Sequence, residues 1–218
     1  MNSDEKLFHN IAIAEGELLK IERSGLANSQ LTKYLFFTNL ELVRISKSIY
    51  LTYHSHLNAN LFSVDLIEMG LRKSIEIAIF CNWIVDENDS KIINRILAHQ
   101  SKAFESSWEI PDPEKFTSPE DLKGLPKFKN MSETTIKGAW LAYKRLSWLH
   151  HASTMQLYAL LESEREKDGL SPKELFIKRS SDSLKSQAES LEHTMGYLGC
   201  ELVKLHPDKI ELTPSVFK

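Results

Sequence analysis

Cysteine is scarce in this chain: only Cys81 and Cys200 occur among 218 residues. Both sit in apolar helical patterns with no histidine or further cysteine at ligand spacing. A disulfide framework and a cysteine-based zinc site are therefore excluded, and the two thiols read as reduced core residues of a cytoplasmic protein. Glycine and proline are also sparse, at eight and seven residues. There is no Walker loop, no G-x-G-x-x-G and no G-x-S-x-G elbow, so the usual nucleotide-hydrolysing and serine-hydrolase frameworks lack their material. Long apolar runs are missing as well. The most hydrophobic stretch, Ile75 to Val85, is interrupted by Glu76 and Asn82 and falls short of the roughly 20 apolar residues a membrane span requires. Residues Met1 to Lys6 are polar and acidic and lead into no apolar core of a secretory signal. The formal charge of -3 argues against a general nucleic-acid binder and leaves room only for a local basic patch.

With 42% hydrophobic residues the chain has enough apolar material to bury a core without staples. No window shows bounded period-2 alternation, so the spacing predicts an all-α, single-domain helical bundle of five to seven helices. The helical core is expected over about 4–107 and 132–205, with a proline-rich loop over 108–130 and a C-terminal tail over 206–218. The first helix should start near Ser3 or Asp4 and end before Ser24-Gly25, with Leu7, Ile11, Ala14, Leu18 and Ile21 as its inner stripe. A second helix is expected from about Ser29 to His56, stopped by Asn58-Ala59-Asn60 and carrying Leu31, Leu35, Leu42, Ile45, Ile49 and Tyr53. The third, near Phe62 to Val85, is the most hydrophobic and is therefore expected at the centre of the bundle.

A fourth helix should follow from Ser90 to about Ser107, and Pro111, Pro113, Pro119 and Pro126 then forbid a long helix until Asn130. A fifth begins near Ser132. Ser163 to Arg179 is charged and contains Gly169 and Ser171-Pro172, which predicts a surface connection with one short helix. The last helix is expected from about Ser181 to Leu205, closed by Pro207.

Two places set polar residues where a helical core pattern prefers apolar ones. Arg72 and Glu76, four apart, share one face of the third helix and can pair with each other or with a neighbouring helix. Tyr143, Ser147, His150 and Thr154 lie on the same side of a straight helix as Ile136, Leu146, Leu157 and Leu161. Each buried polar group there needs a hydrogen-bond partner. Imidazole titrates near neutral pH, so His150 or His151 can serve as a general acid or base; a satisfied core or capping histidine is the plainer alternative. His54 and His56, two apart, do not face each other on a helix, and no metal site or cofactor is expected.

The pattern Leu71-Arg72-x3-Glu76, followed about 70 residues later by Tyr143-x2-Leu146-Ser147-x3-His151-x-Ser153, resembles an uncharacterised bacterial all-helical family. Members of that family usually carry His-Pro-Ser or His-Gly-Ser where this chain has His151-Ala152-Ser153. The same segment is similar to the R-x4-6-H signature of HEPN proteins, helical bundles that include RNA-cleaving toxins and antiviral effectors working as dimers. Arg145 with His150 makes R-x4-H and Arg145 with His151 makes R-x5-H. The resemblance implies a metal-independent ribonuclease of a toxin or phage-defence system. Arg145 would stabilise the phosphate, His150 or His151 would assist attack by the RNA 2′-OH, and Arg72, Glu76, Tyr143, Ser147 and Ser153 would form a supporting polar network. It also implies RNA as substrate, a homodimer, and an antitoxin or regulatory protein as partner. On an unbroken helix Arg145 projects about 140° from His150 and about 120° from His151. A shared site then calls for a bend, a long side-chain reach or a second subunit. Two other readings stay open: a non-catalytic interaction or regulatory module whose polar network specifies helix packing, and a small-molecule sensor with a pocket between helices.

Overall fold

The computed structural model describes residues 2–60, 63–87, 131–138, 141 and 165–208. Helices make up all the regular structure among these residues, with no strand, so the chain is all-α as its periodicity implies. Four long helices carry the described core: α1 (Ser3–Ser24), α2 (Gln30–Ala59), α3 (Asp65–Glu87) and α4 (Pro172–Leu205).

Local chemistry sets most of the boundaries. The side chain of Asn2 accepts from the Glu5 amide at 3.0 Å, while Glu5 Oε2 accepts from the Asn2 amide at 3.1 Å. This capping box places the N-cap of α1 at Asn2, ahead of the expected Ser3 or Asp4. Gly25 closes the helix in the left-handed conformation, φ 62°, which glycine adopts without a Cβ penalty. Ser29 caps α2 through the Thr32 amide, and Asn60 ends it at φ 54°. α3 begins at Asp65 rather than near Phe62. Ser132 caps the helical residues 133–138 by accepting from the Thr135 amide at 3.2 Å, and Ile136 is buried there. The expected helix over 90–107, the loop over 108–130 and the tail beyond 208 lie outside the described residues.

α4 corrects the reading of the region after Ser163. Residues 165–168 are helical, Gly169 adopts φ 65°, and Ser171 then caps a helix that continues unbroken from Pro172 to Leu205. The expected short helix and separate last helix are one element of 34 residues. Leu175, Phe176, Arg179, Ser180, Ser183 and Leu184 are all buried, so tertiary packing carries the helix across the Ser180-Ser181 pair, whose propensity is only modestly unfavourable.

Side-chain contacts give the helix directions. Phe8 meets Tyr50, Glu15 pairs with Lys47 and Asp4 lies near His54, so α1 and α2 are antiparallel. Ser46 meets Gln187 and Asn39 meets Thr194, so α2 and α4 are antiparallel as well. Ser3 bonds Ser181 and Asn10 bonds Ala188, which makes α1 and α4 parallel. α2 and α4 pack on each other, and each also packs on α1 and α3. Among the described helices the central pair is therefore α2 and α4. α3 packs on both, and several of its apolar residues, among them Ile75, Ile77 and Phe80, are only half-buried. Mean apolarity records how much of a helix can be buried, not which neighbours bury it.

The expected inner stripe of α1 is buried throughout, as are Leu35, Leu42, Ile49 and Tyr53 of α2; Leu31 and Ile45 are partly buried against the same core. On α4 the facing layer is Leu184, Leu191 and Leu198, with Ala188, Met195 and Leu202 beside it.

Candidate functional site

Of the residues singled out from the sequence, the structure brings Arg72 and Glu76 together. Arg72 Nε donates to Glu76 Oε1 at 3.2 Å on α3, with the arginine side chain 24% and the glutamate side chain 46% exposed. Solvent screens such a pair, and its contribution is at most about 1 kcal/mol. Tyr143, Arg145, Ser147, His150, His151 and Ser153 lie outside the described residues.

The two histidines of α2 point to different partners, as their spacing implies. His54 Nε2 stands 3.6 Å from Asp4 Oδ2. His56 Nδ1 is 2.8 Å from the Ser63 carbonyl oxygen, so this nitrogen carries the proton and donates. No group of three or more metal-ligating side chains occurs among the described residues.

The feature that single-helix patterns did not show is a polar seam along the central pair. On α2, Thr32, Asn39 and Ser46 recur every seven residues and are fully buried. On α4, Ser180, Gln187 and Thr194 recur at the same interval, equally buried. Because the helices run antiparallel, each step of seven along α2 is matched by seven steps back along α4. Gln187 Nε2 donates to Ser46 Oγ at 2.8 Å. Asn39 Nδ2 donates both to the Leu35 carbonyl at 2.8 Å and to the Thr194 carbonyl at 3.1 Å, joining one helix backbone to the other. Ser46 Oγ donates to the Leu42 carbonyl at 2.7 Å, and Thr194 Oγ1 donates to the Ser190 carbonyl at 3.0 Å. Asn39 Oδ1, Gln187 Oε1 and Ser180 Oγ are buried with no hydrogen-bond partner among the described residues.

A second, partly buried line ties α1 to α4. Asn10 Nδ2 donates to Glu192 Oε1 at 2.8 Å and to the Ala188 carbonyl at 3.3 Å, and Lys6 pairs with the same Glu192 oxygen at 3.1 Å. Glu68, Arg179 and Glu201 are buried as well. Arg179, which the sequence pattern places in a surface connection, lies on the inner face of α4 because the helix begins at Pro172. The seven-residue recurrence of small polar residues is a signal the sequence did carry, on both helices, but only the pairing of α2 with α4 makes it one feature.

Burial also sets the titration of the thiol on α3. The Cys81 thiol is pushed up to about 12 by burial, against a hydrogen bond with Thr38 that lowers it. Tyr34, which also bonds Thr38, is pushed up to about 12 by burial and by Cys81. Cys81 is therefore a protonated core thiol at neutral pH and unsuited to nucleophilic work.

The described arrangement can hold two long helices in one register and can exclude water from their shared face. No helix among the described residues is long and apolar enough to cross a membrane. Comparison with protein-family models, with curated proteins and with solved structures finds no match to this chain.

Proposed function

We propose that this chain is a HEPN-like, cytoplasmic helical protein that cleaves RNA without a metal ion, in the setting of a toxin or phage-defence system. The observation that carries the reading is Arg145 placed five residues before His150 and six before His151 in one segment. A guanidinium beside the scissile phosphate stabilises developing negative charge, and an imidazole titrating near neutrality accepts the 2′-OH proton or protonates the leaving oxygen. The all-helical architecture is compatible with such a site. Because Arg145 and the histidines diverge on an unbroken helix, the site is completed by a bend or by a homodimer, in which one copy supplies the arginine and the other the histidine. An antitoxin or regulatory protein would act by covering it.

The test is cleavage of varied RNAs in EDTA by the wild type, by Arg145→Ala and by His150→Ala/His151→Ala, with melting curves on all three. Metal-independent cleavage lost in variants that melt normally supports the proposal. Absence of wild-type cleavage across those RNAs sinks it.

A second reading, a non-catalytic interaction or regulatory module, is favoured by one observation: the described polar groups between α2 and α4 bond across the helix interface, as a seam that specifies packing. Under that reading the Arg145 and histidine variants lose thermal stability rather than an activity.

A further inference from the structure

We draw no further inference here: the strongest candidate, the exposed apolar face of α2 formed by Phe37, Leu40 and Leu51, carries nothing, because nothing among the described residues shows what covers it.

Discussion

Gln187 Nε2 donates to Ser46 Oγ across the α2 and α4 interface, and Ser46 Oγ in turn donates to the Leu42 carbonyl. One small hydroxyl thus accepts from the opposite helix and returns its own proton to its own backbone. The cost of breaking such a link depends on which partner is removed, because an unsatisfied buried donor is penalised more than a missing bond.

Ser46→Ala leaves the Gln187 amide without its acceptor and is expected to cost about 1–3 kcal/mol. In Gln187→Leu the hydroxyl keeps its bond to Leu42, and the loss should be smaller. The double change Ser46→Ala/Gln187→Leu removes both halves and should be less destabilising than the sum of the two. Urea unfolding of the four proteins measures this coupling, and strict additivity would mean that the two residues do not depend on each other.

Gly70→Ala sets two effects against each other. Alanine favours the helix by roughly 1 kcal/mol. A Cβ at this position, however, would come within 2.8 Å of Ile49 Cγ1 and 2.9 Å of Ile49 Cδ1, and Ile49 is itself a buried core residue. Overpacking of about 1–3 kcal/mol should win, so the variant is expected to melt earlier than the wild type. Unchanged or raised stability would show that α3 shifts freely along α2.

Alkaline pH should weaken the fold. Cys81 and Tyr34 titrate near 12 in the folded protein, against ordinary values of 9.0 and 10.0. Both shifts are upward, so the stability they contribute is complete below about pH 9 and is lost as pH rises toward 12, where the unfolded chain is the better acid. Urea midpoints measured from pH 8 upward test this, and Cys81→Ala combined with Tyr34→Phe should flatten the curve. In the same range a thiol reagent should label Cys200, which is exposed, and reach Cys81 only on unfolding.

Ser171 accepts from the Glu174 amide at 3.2 Å, and the carboxylate of Glu174 accepts from the Ser171 amide at 2.8 Å. Ser171→Ala should cost about 1 kcal/mol through loss of the N-cap. The bonds from Ser171 hold the Glu174 carboxyl below its ordinary 4.5, so its contribution is present above that pH and disappears as pH falls through the depressed value. A cap that mattered only to a short surface helix would fray locally. Since α4 runs from here through the core, hydrogen exchange should speed up over its first turns and the global midpoint should fall.

The sequence by itself determined the helical class, the apolar stripes of α1 and α2, and the punctuation at Gly25, Ser29, Asn60 and Ser132. These are local properties: periodicity and capping act within a few residues, so one strand of sequence contains all the interactions needed to read them. It also marked Arg72 and Glu76 as a pair. Tertiary structure decided the rest. It drew Ser171 through Leu205 into one capped helix, turned Arg179 inward, made α2 and α4 the central pair among the described helices, and left Glu76 half exposed. The seam of Asn39, Ser46, Gln187 and Thr194 belongs to this second class. Seven-residue recurrence on each helix is visible in isolation, but a buried polar residue is satisfied only by the particular helix set against it, and that pairing is a property of the packed bundle.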